Sequence, residues 1–407
     1  MKDFTRDDVT LASTATSAQT GESVWIVSPY HGGSHAAWAN GLARHSGFAM
    51  EAFTLPARFW KWRMHGGAVT LAREALRRGS APNLIVATDM LDLTTFLSLT
   101  RRHYANAATL LYMHENQLTY PLPLNGDTGP MRRQRGERDL HYAFINYASM
   151  LAADHIVFNS DYHRQTMIKA LSRFLRRFPE HRELQTVGQI ADRSSVLPVG
   201  VDWQQLQESK HNDAPNDTDE LAPLILWNQR WEYDKNPGEF FAALDRLAEQ
   251  GHEFRVAVCG QNFRRQPSEF TEAIERLGQR VIHVGFADQT TYHRLLWESE
   301  ITISTAIHEF FGVSIVEAIA CATLPVLPRR LSYPELIPNW ADDLCLYDNQ
   351  SGLLARLKYA LENRDDARAK ARRLAATVRR FAWQRVAPAY DAVFAELISA
   401  YPVEAGT

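Results

Sequence analysis

The sequence predicts an α/β protein with two doubly wound, Rossmann-like domains that face a central cleft. Short apolar segments alternate with helical stretches along the whole chain, which is typical of parallel sheets covered by helices on both faces. The chain has 407 residues, more than one hydrophobic core usually supports. Because ligands bind at the C-terminal ends of parallel strands, we expect the functional site to lie between the two domains.

Two series of candidate strands follow one another along the chain. The first series contains Val24–Ser28, Met50–Leu55, Asn83–Thr88, Thr109–Met113, His155–Asn159 and Ser195–Val199. The second series contains Leu224–Trp227, Phe254–Cys259, Arg280–Gly285, Ile301–Ser304, Leu324–Leu327 and Leu344–Tyr347. A long charged helical pattern from about Asp365 to Ala400 closes the chain.

A polar stretch that contains the run Asp-Ala-Pro-Asn-Asp separates the two series and is typical of a linker. The first residues are also polar and lack the basic start and apolar core of a secretion signal. We therefore expect five segments: a disordered tail at 1–20, an N-terminal domain at 21–203, a linker at 204–223, a C-terminal domain at 224–385, and a terminal helix and tail at 386–407.

Composition narrows the class of protein. A formal net charge of −3 gives no global attraction to nucleic acid, so an RNA partner would need a local basic patch. No apolar run reaches the roughly 20 residues that cross a bilayer, which predicts no membrane attachment. Cys259, Cys321 and Cys345 lie in apolar segments without metal-ligand spacing. They are predicted to be buried free thiols of a cytoplasmic protein.

Two cations follow the first strand of the second series. Residues 224–237 form an apolar run and then a loop that carries Arg230 and Lys235 and ends at Pro237. Cations at a strand end beside a helix start can neutralise a diphosphate whose negative charge grows as it leaves. The alternative is an ordinary surface Arg and Lys paired with Glu232 and Asp234.

Two carboxylates flank a glycine further along this half. Glu309 precedes Gly312, and Glu317 lies inside the helix that this glycine is predicted to begin. A glycine at a helix N-terminus lets backbone N–H groups approach a phosphate, which the helix dipole also favours. The carboxylates can accept hydrogen bonds from hydroxyls, Glu309 from a sugar and Glu317 from a ribose. The alternative is a helix start with two solvated glutamates.

The first strand of the N-terminal half ends in a glycine pair, Gly32 and Gly33, inside the run Pro29 to His35. Close approach of the backbone to a ligand would explain the pair. It is not a dinucleotide fingerprint, because the third glycine is missing and no acidic residue clearly ends the next strand. The alternative is an ordinary tight turn between a strand and a helix.

A dense polar group ends the fourth strand of the N-terminal half. His114 is followed by Glu115, Asn116 and Gln117, where the strand is expected to reach the cleft. His114 can donate to a sugar hydroxyl or stabilise positive charge developing near its ring, and the other three can bind the acceptor. The alternative is that some of them cap the next element.

Basic residues cluster in two places in the N-terminal half, where they could contact a phosphate backbone. The alternative for charged helix residues is a solvated face. The first cluster is Arg132, Arg133, Arg135 and Arg138, and the second is Arg164, Lys169, Arg173, Arg176, Arg177 and Arg182.

Together these motifs resemble known glycosyltransferases. Arg230 and Lys235 with Glu309 and Glu317 resemble the donor site of retaining GT-B enzymes of glycosyltransferase family 4. The runs 31–35, 112–121 and 158–160 are more specific and resemble the tRNA-queuosine alpha-mannosyltransferase family. The resemblance spans roughly residues 24 to 390. It implies a GT-B fold in which the C-terminal helix crosses back to the N-terminal domain.

The resemblance also implies residue roles. Arg230 and Lys235 would hold the diphosphate, Glu309 the hexose and Glu317 the ribose, with His114, Arg230, Lys235 and Glu309 as the catalytic set. The further donor-binding residues implied are Gly32, Gly33, Phe311, Gly312 and Val313. The acceptor-binding residues implied are His31, His35, Glu115, Asn116, Gln117, Asn159, Arg132 and Arg133.

The implied reaction is transfer of mannose from GDP-mannose to the cyclopentenediol of queuosine in tRNA-Asp, with retention of configuration. In this class a phosphate oxygen takes the acceptor proton, so no protein nucleophile, metal or cofactor is expected. Two alternatives remain: a GT-B glycosyltransferase for a small-molecule, lipid or glycan acceptor, and a non-catalytic protein that binds RNA or a sugar nucleotide.

Overall fold

A computed structural model describes residues 10–13, 22–121, 140–213, 221–260 and 268–401. The chain divides into two compact units. Unit 1 contains the described residues up to Gly200 and those from Trp383 onward, and unit 2 contains the described residues from Val201 to Ala382.

Unit 1 contains a seven-stranded sheet in the order β1-β3-β2-β4-β5-β6-β7. Strand β1 pairs with β3 antiparallel, and the remaining neighbours pair parallel. The strands are β1 (Thr10–Ser13), β2 (Ser23–His31), β3 (Ala49–Pro56), β4 (Leu84–Thr88), β5 (Ala108–Met113), β6 (His155–Phe158) and β7 (Ser194–Val196). Strands β4 and β5 are buried at every residue, because helices cover both faces of a parallel sheet.

Six helices of unit 1 precede Gly200: α1 (Gly33–His45), α2 (Trp60–Ala75), α3 (Leu93–Tyr104), α4 (Leu140–Ala152), α5 (Asp161–Leu175) and α6 (Gln185–Asp192). Two of them begin at side-chain caps. Asp92 accepts a hydrogen bond from the Thr95 N–H before α3, and Ser160 accepts one from the His163 N–H before α5. The buried faces of α2 to α6 pack on the sheet in one apolar cluster that runs from Trp25 to Ile190.

Unit 2 contains a six-stranded parallel sheet in the order β10-β9-β8-β11-β12-β13. The strands are β8 (Leu224–Asn228), β9 (Arg255–Cys259), β10 (Val281–Gly285), β11 (Ile301–Ile303), β12 (Leu324–Pro328) and β13 (Leu346–Tyr347). Strand β8 lies inside this sheet and is buried along its whole length.

The helices of unit 2 are α7 (Trp203–Asp213), α8 (Pro237–Glu249), α9 (Ser268–Leu277), α10 (Gln289–Glu298), α11 (Val313–Ala320), α12 (Tyr333–Leu336), α13 (Asp342–Cys345), α14 (Gln350–Glu362) and α15 (Arg364–Val378). Among the described residues, 3-10 helices accompany them at Tyr233–Lys235, Gly278–Arg280, Asn339–Ala341 and Arg379–Phe381.

The last helix, α16 (Trp383–Ala400), belongs to unit 1. Its Trp383 ring lies against two glycines, and a Cβ added to Gly41 or Gly200 would come within 2.3 Å or 2.2 Å of the indole. The Tyr390 hydroxyl accepts a hydrogen bond from Trp38 Nε1 at 3.1 Å. The chain therefore returns to its first unit, as the resemblance to GT-B enzymes implied.

Every predicted strand overlaps a strand of the structure, but three segments differ from expectation. Strand β1 lies in the range predicted to be a disordered tail, and α7 occupies half of the predicted linker. The single helical pattern predicted from Asp365 to Ala400 is two helices, because the chain leaves α15 through a 3-10 turn and changes units. All three cysteines are buried and free, as predicted. Within the described ranges, no helix is both long and apolar enough to span a membrane.

Candidate active site

The loop that follows β8 packs closely against a glycine. Gly260 follows β9, and a Cβ at this position would lie 2.1 Å from the Gln229 carbonyl oxygen and 2.6 Å from the Trp231 ring. Trp231 in turn stacks on Phe270, with ring centroids 4.4 Å apart. These contacts fix the loop that carries the two predicted cations.

Lys235 is a buried ammonium, only 5% exposed. Its Nζ donates to the His308 carbonyl oxygen at 2.9 Å and lies 3.1 Å from Glu309 Oε2 and 3.4 Å from Asp234 Oδ2. Burial alone would lower the pKa of this ammonium, but attraction to Glu309 and Asp234 outweighs burial and raises the pKa. Lys235 is therefore a permanently charged group within a built site and not the surface lysine of the alternative interpretation.

Asp234 is the fully buried partner of both cations. Its carboxylate lies 3.4 Å from Lys235 Nζ and 4.0 Å from Arg230 Nη2. Arg230 is half-exposed and also lies 3.2 Å from Glu232 Oε2. The alternative pairing with Glu232 and Asp234 is thus real, but Arg230 keeps half of its surface available to a ligand.

Glu309 is anchored on one side and open on the other. Its Oε2 contacts Lys235, and its Oε1 accepts hydrogen bonds from the N–H groups of Phe310 and Phe311 at 3.1 Å and 3.4 Å. Burial would raise the pKa of this carboxyl, but Lys235 and the backbone donors lower it below its usual value. Glu309 is therefore a carboxylate that can accept hydrogen bonds. The Phe311 N–H, predicted to face a donor, points at Glu309 in this structure.

His308 is neutral beside this carboxylate. Burial and the neighbouring Lys235 lower the pKa of its imidazole to about 4. Its ring packs edge-on against Phe310, with centroids 4.5 Å apart. Its backbone carbonyl oxygen accepts a hydrogen bond from Lys235 Nζ.

Gly312 begins α11 in a left-handed conformation, with φ at +91°. Only glycine adopts this conformation without strain, and a Cβ here would also come within 3.3 Å of the Tyr333 ring. The first N–H groups of a helix, which include that of Val313, have no acceptor inside the helix. The helix that Gly312 was predicted to begin is therefore present in unit 2.

Glu317 connects α11 to the end of β8. Its Oε2 accepts a hydrogen bond from the Tyr292 hydroxyl at 2.7 Å, and that hydroxyl lies 3.3 Å from Asn228 Nδ2. Asn228 Nδ2 also donates to the Ser314 carbonyl oxygen at 2.8 Å. Burial raises the pKa of the Glu317 carboxyl to about 7, although the bond from Tyr292 acts in the opposite direction.

Sequence reasoning predicted ligand-binding residues in unit 2 but missed most of the residues that contact them. Asp234 appeared only as a partner in the alternative interpretation, although its position between the two cations was the signal. His308, Asn228 and Tyr292 carried no separate signal, and Tyr292 reaches Glu317 only because α10 packs beside α11.

In unit 1, the predicted glycine pair lies where β2 meets α1. A Cβ at Gly32 would come within 2.5 Å of Ala57 Cβ, so close packing inside the unit is enough to require a glycine at this position. Gly33 adopts φ +52°, and nothing lies within 4 Å of the position its Cβ would take. Only the Gly33 side of the turn is therefore open.

His114 lies at the end of β5 in an aromatic setting. Its ring contacts those of His35, Tyr112 and Trp38, with centroids 4.1, 4.7 and 4.9 Å apart. Burial, together with His35 and His163, lowers the pKa of its imidazole well below the usual value. Its Nε2 is buried and has no hydrogen-bond partner among the described residues. His114 is thus a neutral imidazole with one nitrogen left for a ligand or water.

Two buried side chains hold the backbone of His114, and sequence reasoning missed one of them, Asp89. Asp89 Oδ1 accepts its N–H at 3.0 Å, and Asn159 Nδ2 donates to its carbonyl oxygen at 2.9 Å. Asn159 itself was predicted as an acceptor-binding residue, yet its Oδ1 is bonded to His163 Nδ1 at 2.9 Å. Burial and the nearby Glu115 raise the pKa of the Asp89 carboxyl. These side chains position His114.

The residues after His114 form hydrogen bonds with one another and with the following turn. Asn116 Oδ1 accepts hydrogen bonds from the N–H groups of Leu118 and Thr119 at 3.1 Å and 2.9 Å, so this oxygen caps the following turn, as the alternative interpretation allowed. Its buried Nδ2 has no partner among the described residues. Gln117 Nε2 donates to Glu115 Oε1 at 3.3 Å.

The other acceptor predictions have different outcomes. His31 ends β2, and burial lowers the pKa of its imidazole. His35 lies against His114, so the structure brings these two predictions together. Arg132 and Arg133 lie outside the described residues. Within the described ranges, no group of three or more His, Cys, Asp or Glu side chains is arranged to hold a metal ion.

Comparisons with solved structures identify the fold. Sucrose-phosphate synthase from Thermosynechococcus elongatus superposes with a TM-score of 0.68 at 15% identity, covering 93% of this chain and 100% of that one. HepE from Anabaena, in complex with UDP and glucose, superposes with a TM-score of 0.63 at 15% identity, covering 93% and 99%. These likenesses show the two-unit GT-B fold.

Family comparisons cover both units. The model described as tRNA-queuosine alpha-mannosyltransferase N-terminal matches residues 23–201, and the model described as glycosyl transferases group 1 matches residues 208–378. A Drosophila melanogaster tRNA-queuosine alpha-mannosyltransferase is 32% identical over 338 residues, which is 82% of this chain and 85% of the relative. A GDP-mannose-dependent alpha-(1-6)-phosphatidylinositol dimannoside mannosyltransferase of Mycobacterium tuberculosis is 23% identical over 79% of this chain and 74% of its own length.

The two family models match one unit each, and the Drosophila relative is similar across both units. The chain is therefore a glycosyltransferase and belongs to the tRNA-queuosine alpha-mannosyltransferase family.

Proposed function

We propose that this enzyme transfers mannose from GDP-mannose to a hydroxyl of the cyclopentenediol of queuosine in tRNA-Asp, with retention of configuration. The name of the Drosophila relative supports the acceptor and the sugar. The name of the mycobacterial relative, which specifies GDP-mannose, supports the donor.

The observation that carries this proposal is the buried Lys235, held by Asp234 and Glu309 in unit 2. A charge fixed in a low-dielectric site stabilises a departing diphosphate without reorganising when the bond breaks. Arg230 would add a second, partly solvated cation that can hold two oxygens at once. Val313 and its neighbours at the start of α11 would donate backbone N–H groups to the same phosphates.

The carboxylates would recognise hydroxyls. Glu309 is ionised and partly exposed, so it would accept hydrogen bonds from the mannose. Glu317 would accept them from the ribose, since Tyr292 already orients its carboxylate. His114, neutral and with a free ring nitrogen, would bind a hydroxyl at the reacting centre.

The chemistry that we propose needs no protein nucleophile, metal or cofactor. The bond between the mannose C1 and the diphosphate oxygen breaks as the acceptor oxygen bonds to C1 from the same side. The acceptor proton passes to a phosphate oxygen of the departing GDP. The protein supplies position and charge stabilisation.

Labelling the acceptor tests the proposal. Protein mixed with GDP-[14C]mannose and queuosine-containing tRNA-Asp should yield labelled tRNA. The matched control is the same tRNA with guanine in place of queuosine, which should stay unlabelled because it lacks the diol. Equal labelling of both tRNAs would contradict the proposed acceptor.

A second acceptor class has one observation in its favour, the lipid acceptor in the name of the mycobacterial relative. Transfer to a lipid or other small acceptor would be favoured if tRNA stayed unlabelled while GDP-mannose was slowly hydrolysed. We also propose a cytoplasmic location, which the three free, buried cysteines support.

The pH dependence of donor binding is expected to report on Glu317. Ribose hydroxyls donate to the carboxylate form, so binding would lower the pKa of a carboxyl that stands at about 7 in the free enzyme. Affinity for GDP-mannose should therefore rise as pH rises toward 7 and level off above it. Calorimetry in buffers of different ionisation enthalpy would show the released proton.

Glu317→Gln is the control for this pH effect, because it keeps the shape and an acceptor oxygen but cannot titrate. The variant should bind GDP-mannose with little dependence on pH between 5.5 and 7.5, to within about a factor of two. If affinity depended on pH in the variant as it does in the wild-type protein, Glu317 would be ruled out as the titrating group.

A further inference from the structure

A basic cavity of about 340 Å³ lies beside α5 in unit 1. Lys169, Arg173 and Arg177 line it together with Thr166. The three cations are spaced four residues apart, so they lie along one face of α5 and its C-terminal extension. The three positive charges are therefore spread along the helix and are not concentrated at one position.

The three cations are exposed and available. Within the described ranges, none of them forms an ion pair, and no acidic side chain lines the cavity. Their neighbour Arg164 differs, because its guanidinium donates to Ser194 Oγ and to the Ala191 carbonyl oxygen, each at 2.8 Å. The cluster in the sequence therefore divides into a structural arginine and a row of free cations.

The cavity adjoins the segment that follows His114. Leu118 and Thr119 line the cavity, and Thr119 bonds to Asn116 Oδ1 through its N–H and its hydroxyl, both at 2.9 Å. Asn116 is two residues from His114. The row of cations is thus connected through one short turn to the neutral imidazole proposed to meet the acceptor.

We propose that this face of α5 binds the phosphate backbone of the acceptor RNA. The proposal rests on the proposed function, since it assumes an RNA acceptor. Lys169 and Arg177 lie about 12 Å apart along α5 and its C-terminal extension, at about 1.5 Å per residue, so a row of phosphates matches the three cations better than one phosphate does. A polyanionic strand can contact all three cations and gain affinity that is independent of sequence.

The test uses an unmodified tRNA-Asp transcript, which separates binding from transfer. Lys169→Gln, Arg173→Gln and Arg177→Gln are combined in one variant, and affinity is measured by fluorescence anisotropy across a salt series. Loss of three phosphate contacts should weaken binding on the order of ten- to a hundredfold at low salt and reduce the slope of log K against log salt by about 2 to 3.

The matched control removes three exposed arginines from other helices of the same unit: Arg73→Gln, Arg101→Gln and Arg102→Gln. This control variant changes the net charge by the same amount as the α5 variant. It should lower affinity for the tRNA less than about threefold, because its three substitutions lie on α2 and α3 and not on α5. Both triple variants should keep the wild-type melting temperature and its response to GDP. For transfer, the α5 variant should raise KM for tRNA with little change in kcat.

The outcomes separate this inference from the function on which it rests. Wild-type affinity in the α5 variant, or equal losses in both variants, would overturn the inference and leave the labelling result standing. Failure of the wild-type protein to bind or label any tRNA would overturn both. A rise in melting temperature with inorganic phosphate that the α5 variant loses, with RNA affinity unchanged, would assign the cavity to a small anion and overturn the inference.

Discussion

Replacing Lys235 by alanine is expected to lower kcat/KM for mannosyl transfer by about three orders of magnitude, the effect of removing a fixed charge from a developing anion. It should also cost about 3–5 kcal/mol in the free energy of unfolding, because Asp234 and Glu309 lose their buried partner. Urea unfolding and initial rates of tRNA labelling, normalised to folded protein, measure both effects.

A second substitution separates the two effects of Lys235→Ala. Adding Asp234→Asn removes one of the uncompensated charges, so the double variant should recover stability but not activity. Lys370→Ala is the matched control, since this lysine pairs with the exposed Asp366 at 2.7 Å in the same unit. It should change stability by less than about 1 kcal/mol and leave transfer unaffected. If Lys235→Ala retained a tenth of wild-type kcat/KM, the proposed role in leaving-group stabilisation would be wrong.

Replacing Gly200 by alanine is expected to destabilise the protein by about 3 kcal/mol, at the upper end for overpacking of a core. The new Cβ would lie 2.2 Å from Cδ2 of Trp383, whose ring is already confined by Gly41. The ring is rigid and 2% exposed, so relief requires movement of α16. Because Tyr390 of this helix bonds to Trp38, which packs against His114, activity should fall as well. Urea unfolding and labelling rates measure the two effects.

Gly188→Ala is the control for a glycine-to-alanine change in the same unit. Gly188 lies inside α6, and nothing lies within 4 Å of its added Cβ, so this variant should gain roughly 0.5–1 kcal/mol. Combining Gly200→Ala with Trp383→Leu should cost less than the sum of the two single changes, since the smaller side chain relieves the clash. Additive costs would show that Gly200 does not act through Trp383.

Much of the fold could be predicted because its signals are local. The run Leu224–Trp227 is apolar at every position, which is typical of a parallel strand covered on both faces. Helix boundaries were less predictable. The pattern from Asp365 to Ala400 stays helical in composition through the break after Val378, because the break reflects a change of unit and not a change of local preference.

The candidate site was predictable to a similar, limited degree. Arg230, Lys235 and Glu309 are visible in the sequence because charged residues beside buried strands and helix starts are unusual. The sequence does not show the protonation states of these side chains. Whether Lys235 is a solvated lysine or a buried ammonium depends on Asp234 and on Glu309, and the latter lies 74 residues away along the chain.

Local sequence patterns predicted the strands from β2 to β13, the positions of the two cations and the two carboxylates, and the family of the chain. Tertiary structure alone decided that Gly32 is required by Ala57, that α16 joins unit 1, and that Lys169, Arg173 and Arg177 line one cavity. The difference arises from the distance along the chain over which each kind of interaction acts. Hydrophobic period and backbone preference act within a few residues, whereas burial and charge pairing depend on neighbours that only packing brings together.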